Sequence, residues 1–119
     1  VPTVPPSPSS SPIGANPVAV FDVGGETYRI ELANADDVAH ARALLAGTGD
    51  GAIPNGLLVL GTGGVNAPWS WHIDPDSLEW ADMTTEVCDG IPSQIEDRTF
   101  TYERFCPWSA KLVAIEEPK

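Results

Sequence analysis

Between Val18 and Leu32 the hydrophobic and polar positions alternate in two runs. In the first, Val18, Val20 and Asp22 fall on one side and Ala19, Phe21 and Val23 on the other; in the second, Tyr28, Ile30 and Leu32 alternate with Thr27, Arg29 and Glu31. A period of two is that of a strand, because successive side chains leave opposite faces of an extended backbone. Gly24-Gly25 separates the runs and supplies the positive φ angles of a two-residue turn, so the pattern predicts a β-hairpin. The period then lengthens. Val38, Ala41, Leu44 and Leu45 recur at helical spacing, Asn34 stands where a cap is needed, and Asp36 and Asp37 lie in the first turn, where the helix dipole favours negative charge. With Gly47 as the stop, a short helix over about 36–46 is predicted.

Further along, residues 47–56 read as a loop and Leu57 to Leu60 as a strand buried on both faces. Residues 61–68, GTGGVNAP, form a second, glycine-rich loop. Trp69 to Ile73 alternates large apolar with polar residues, as a half-buried strand does. Asp74-Pro75-Asp76-Ser77 has the chemistry of a turn, with proline where φ must lie near about −65°. Leu78 to Val87 is predicted to return as the partner strand, and residues 110–115 form the last, alternating Leu112 and Ala114 against Val113 and Ile115. Five or six strands and one short helix give an α+β class: a mostly antiparallel sheet with the helix on one face. Residues 1–17 hold six of the twelve prolines and no charge, and are expected to be a Pro/Ser-rich disordered tether ahead of a single domain over 18–117.

Composition narrows the function classes. The chain has 119 residues, enough for one domain, and its 42% hydrophobic content is that of a folding chain. Seventeen acidic residues against six basic ones give a formal charge of −11, which repels phosphate backbones and anionic lipid and favours a cationic partner. No nucleic-acid partner and no membrane insertion are therefore expected. The longest apolar run, Leu57-Leu58-Val59-Leu60, falls far short of the ~20 residues that span a bilayer. Val1-Pro2-Thr3 is a plausible end left by removal of a signal peptide, so the chain is expected to be secreted and extracellular, and a monomer.

An even cysteine count in an exported chain implies a bridge, here Cys88 to Cys106. Two other uses of these residues have less behind them. A nucleophilic pair of one cysteine with His72 lacks any flanking motif, and zinc lacks close ligand spacing among two Cys and two His. His72 reads as a satisfied edge or core histidine, and His40 as lying on the solvent side of the helix. Asp74, Asp76 and Glu79 around one turn would admit a general acid–base pair or a calcium site, yet Asp-Pro-Asp-Ser is what a turn uses in any case. No catalytic residue, metal site or cofactor is assigned.

His72-Ile73-Asp74-Pro75-Asp76-Ser77, then Glu86-Val87-Cys88-Asp89 with Ile95-Glu96, then Cys106-Pro107-Trp108-Ser109, resemble the pattern of a domain family named after the N-terminal domain of a calmodulin-binding slime-mould protein. The helical segment His40-Ala41-Arg42-Ala43-Leu44-Leu45-Ala46-Gly47 is similar to it as well, so the resemblance covers about residues 18–115. It implies a small compact domain, often in exported proteins, and supports the disulfide. It carries over no catalytic residue. Calmodulin binding does not transfer, since this chain lacks the basic amphipathic helix that calmodulin targets use.

The expected function is that of a small secreted binding module, an inhibitor of extracellular proteases. Its partner-binding loop is expected next to Cys88, at Gly90, Ile91, Pro92, Ser93, Gln94, Ile95, Glu96 and Arg98, in the extended form that a protease cleft accepts. Gly63 to Pro68 is a looser second candidate. Arg98 or Arg104 would suit a trypsin-like pocket and Ile91 or Ile95 an apolar one. The alternatives are a carbohydrate- or cell-surface-binding domain, in which Trp69, Trp71, Trp80 and Trp108 form an exposed row, and a small hydrolase or calcium-binding domain.

Overall fold

The computed structural model describes residues 16–117. The expected tether lies, up to residue 15, outside the described residues; Asn16 and Pro17 belong to the fold, since Pro17 C=O accepts from Leu32 N–H at 2.9 Å. The two alternating runs form the hairpin, β1 (Val18–Val23) and β2 (Glu26–Glu31), with Val23 opposite Glu26. Gly24 and Gly25 take φ of 60° and 92°, which gives the turn the twist of its strands. β7 (Lys111–Glu116) pairs antiparallel with β1 on the side away from β2, completing a three-stranded sheet of order β2-β1-β7. Apart from Asp22, every residue of β1 is buried.

α1 (Ala35–Leu45) follows as the pattern predicts: Asn34 Oδ1 accepts from Asp37 N–H at 2.9 Å. The helix packs against β7, and Asp37, buried in its first turn, accepts a hydrogen bond from the Trp80 indole N–H at 3.0 Å.

The second sheet is built around β3 (Ile53–Leu60), which begins at Ile53 rather than Leu57. Three short strands pair antiparallel with it: β4 (Trp71–Ile73) along 58–60, β6 (Arg104–Phe105) along 56–57 and β5 (Glu79–Ala81) along 53–55. The predicted burial of Leu57 to Leu60 on both faces is not found, because Leu60 at the strand's end is 54% exposed. Gly56 marks a close approach: a Cβ there would meet the Ile73 side chain across the sheet. Among the described residues there are thus seven strands in two antiparallel sheets, where one sheet of five or six was expected.

Aromatic rings join the sheets. Tyr28 of β2 lies 5.7 Å from Trp71 of β4 and 5.3 Å edge-on from Phe105 of β6, while Phe21 of β1 stacks at 5.5 Å on Tyr28. Such tilted and edge-on pairs add about 0.5–1.5 kcal/mol each to the area they bury. The glycine-rich loop closes the outer edge of β2. Asn66, buried in this loop, accepts from Arg29 N–H at 2.7 Å and donates to Trp71 C=O at 2.9 Å, and the Trp69 indole donates to Thr27 C=O at 2.8 Å. Side chains here take the place of a further strand, so this stretch of edge is not left open for pairing.

Candidate functional site

The segment enclosed by the cysteines does not project. α2 (Pro92–Glu96) fills its centre, a helix where an extended loop was expected. Pro92 occupies the first turn, where its fixed φ suits a helix and its missing N–H is no loss, and Ile91 N–H donates to Gln94 Oε1 at 3.2 Å. Pro92 and Ile95 are buried. Ser93 N–H donates to Glu26 Oε1 at 2.8 Å, tying α2 to β2, and Glu96 accepts from both the N–H and the hydroxyl of Ser70, at 2.8 and 2.9 Å. These bonds hold the Glu96 carboxyl below its ordinary range, the Ser70 backbone N–H contributing most. Of the expected loop residues Gly90, Ile91, Pro92, Ser93, Gln94, Ile95, Glu96 and Arg98, the middle ones dock a helix onto the hairpin. The two arginines proposed for a trypsin-like pocket are also engaged: Arg98 donates to Ile95 C=O at 3.1 Å, and Arg104 to Asn55 Oδ1 at 2.7 Å and Ser77 C=O at 3.0 Å.

Other candidates take structural positions. His40 stacks on Trp80 at 4.5 Å, with Nε2 2.9 Å from Gly51 C=O, so the expected solvent-side placement is corrected. His72 Nδ1 lies 2.7 Å from Thr62 C=O. Asp74 Oδ1 accepts from Asp76 N–H at 3.0 Å and so starts the turn 75–77; among the described residues no group of three His, Cys, Asp or Glu is placed to hold a metal ion. Trp71 is fully buried, and Trp69 and Trp80 are half-buried with their indole N–H groups bonded. Only Trp108 of the four indoles is exposed, so the row that a stacking surface needs is not formed.

Where the chain does project is just before the first cysteine. β5 ends at Ala81, and Asp82 to Val87, predicted as the rest of that strand, leaves the sheet. Met83 at its tip is 87% exposed, the largest value among the exposed large hydrophobics of the described residues; Val87 is 57% and Trp108 44% exposed. Outside helices and strands, no backbone–backbone hydrogen bond among the described residues involves Met83 or Thr84, and Thr85 caps a short turn over 86–88. The loop is nonetheless held on either side of its tip. Asp82 Oδ1 accepts from Gly51 N–H at 2.7 Å. The Thr84 hydroxyl accepts from the Trp108 indole N–H at 2.5 Å and lies 3.1 Å from Cys106 Sγ, and the Thr85 carbonyl lies 3.3 Å from Cys88 Sγ.

The disulfide Cys88–Cys106 anchors both partners of these contacts, with its Cα atoms 5.0 Å apart and Cys106 N–H donating to Cys88 C=O at 2.7 Å. Asp89 Oδ1 then accepts from Trp108 N–H at 2.7 Å, fixing the indole that holds Thr84. A cleft of about 270 Å³ lies between Ile53, Asp82, Met83, Thr84 and Trp108. A family model, the BP-74 N-terminal domain, matches residues 15–119. The chain belongs to the BP-74 N-terminal domain family. No curated protein and no solved structure matches it. The family match spans the whole described fold, and within this BP-74 N-terminal domain the two cysteine segments that carry the resemblance are the ones that hold the Met83 loop. The sequence signal for that loop is weak but present: after Trp80 the alternation stops, and the chain's one methionine sits between Asp82 and Thr84.

Proposed function

We propose that this domain is an extracellular protease inhibitor that acts as a monomer and engages its partner through the loop Asp82–Val87. The observation that carries the reading is the combination at Met83: an apolar side chain 87% exposed at the tip of a segment whose flanks are bonded to the body of the fold. An exposed apolar residue on a floppy loop would lose on binding much of what it gained, because each ordered side chain and backbone unit costs conformational entropy. Here that ordering is already done in the fold. Export is part of the same reading, since a bridge such as Cys88–Cys106 persists in oxidising compartments. The acidic surface, −11 in formal charge, would speed encounter with a basic protease.

The test is direct. The purified chain is incubated with chymotrypsin-, subtilisin-, trypsin-, papain- and thermolysin-type enzymes, and residual activity is titrated against a small chromogenic substrate. Stoichiometric inhibition of at least one enzyme, with the chain surviving, is expected. Digestion of the chain with no enzyme inhibited would end the reading.

A further inference from the structure

Resting on that reading, we propose that Met83 is the residue that fills the primary specificity pocket of a serine endopeptidase with an apolar pocket, and that Met83–Thr84 is the peptide bond offered to its nucleophile. Four features of the loop select this class. Serine endopeptidases of the chymotrypsin and subtilisin types read chiefly the side chain on the acyl side of the scissile bond, and Met83 is the side chain that projects. A papain-type enzyme reads chiefly the residue before it, which here would be Asp82, a carboxylate already bonded to Gly51 N–H. A thermolysin-type enzyme reads chiefly the residue after it, which would be Thr84, whose hydroxyl is turned inward onto Trp108 and the disulfide. A trypsin-type pocket wants a cation, and no Lys or Arg lies in Asp82–Val87.

The backbone fits as well. Substrates and substrate-like inhibitors bind an endopeptidase as an added extended strand, through main-chain hydrogen bonds. Among the described residues Met83 and Thr84 spend none of their N–H or C=O groups on backbone pairing outside helices and strands, and Thr85, which caps the turn 86–88, is extended, with φ −70° and ψ 151°. The chemistry also explains why such a loop inhibits rather than feeds the enzyme. The protease serine attacks the Met83 carbonyl carbon, the Met83–Thr84 C–N bond breaks, and the protease histidine passes the serine's proton to the departing Thr84 amine. In an ordinary substrate that amine diffuses away. Here Thr84 is held by Trp108 and Cys106, and the two pieces of chain stay paired through β1–β7 and β3–β6. The amine therefore remains beside the acyl-enzyme and attacks it, returning its proton through the histidine and restoring both the peptide bond and the serine. Trp108 acts in this as a positioning residue.

The experiment uses the full chain against the chymotrypsin-, subtilisin- and trypsin-type enzymes. Wild type is expected to inhibit one or both of the first two. Met83→Asp is expected to weaken that inhibition by about 100-fold or more, the loss typical of a central interface anchor. Met83→Arg is expected to move inhibition to the trypsin type. Both variants should melt with wild type, since so exposed a side chain contributes little to folding. Trp108→Phe is expected to turn the inhibitor into a temporary one, with the Met83–Thr84 bond cut and the pieces released faster, as read by mass spectrometry. If wild type inhibits and Met83→Asp inhibits equally, or the bond cut lies elsewhere, this assignment is overturned while the inhibitor reading stands. If wild type inhibits nothing and is digested, both fall.

Discussion

Asn66 shows how much a single buried polar residue can hold. Its amide oxygen satisfies Arg29 N–H on the edge of β2 and its amide nitrogen satisfies Trp71 C=O on β4, so one side chain closes a sheet edge and joins the two sheets. Removing it leaves the part-buried Arg29 N–H and the buried Trp71 carbonyl without these partners. Unmet buried groups cost about 1–3 kcal/mol each, so Asn66→Ala is expected to destabilise the domain by about 2–4 kcal/mol in urea unfolding. Tyr28 is the control. Its ring is central to the core, yet its hydroxyl has no hydrogen-bond partner among the described residues, and burial pushes its pKa well above the ordinary value. Tyr28→Phe keeps the ring and gives up no protein partner, so it is expected to change stability by less than about 1 kcal/mol. A loss for Asn66→Ala no larger than that for Tyr28→Phe would mean that the amide bridge contributes little to stability.

At the scale of elements, α2 is held to the rest of the fold by carboxylates as much as by Pro92 and Ile95. Glu96 is the more telling of them, since the Ser70 N–H and hydroxyl lower its pKa below the value it has in an unfolded chain. A group with a lowered folded pKa favours the folded state wherever it is ionised, so this stabilisation is complete above the ordinary glutamate pKa of about 4.3 and disappears as pH falls through the lowered one. Glu96→Gln is therefore expected to melt below wild type at neutral pH, with the gap closing as pH falls through that window. A gap independent of pH would mean that Glu96 acts through packing alone. The helix itself is not legible in the sequence, because five residues of Pro-Ser-Gln-Ile-Glu show barely one turn of any period. The hairpin and α1 are legible, because Gly24-Gly25 and Asn34 are local signals that no distant contact needs to complete. β3 reads short at its start because Pro54 argues against a strand interior, and its neighbours there are supplied by β5, far along the chain. The Met83 loop is faint for a related reason: strand and extended loop share a backbone, and beyond the break in alternation after Trp80 it is the placement of Gly51, Trp108 and the disulfide that tells them apart.

For the whole molecule the disulfide does two separable things. It joins cysteines 18 positions apart in sequence, a loop closure that in the chain-entropy picture stabilises the fold by about 3 kcal/mol. It also sits under Thr84 and Thr85, so it sets the frame of the candidate site. Cys88→Ser with Cys106→Ser is expected to lower the melting temperature by more than about 10 °C, the shift that such a loss produces in a domain of this size. The strand ladders β1–β2, β1–β7 and β3–β4 do not touch the bridge, so the double variant is expected to keep its β-sheet circular dichroism below its own melting point. Under those folded conditions the second role can be measured by itself. A loop that has lost the sulfur contacts at Thr84 and Thr85 must be ordered by its partner, and inhibition should weaken beyond what the unfolded fraction accounts for. Unchanged inhibition by the folded double variant would confine the bridge to stability, leaving Asp82 and Trp108 to hold Met83 in place.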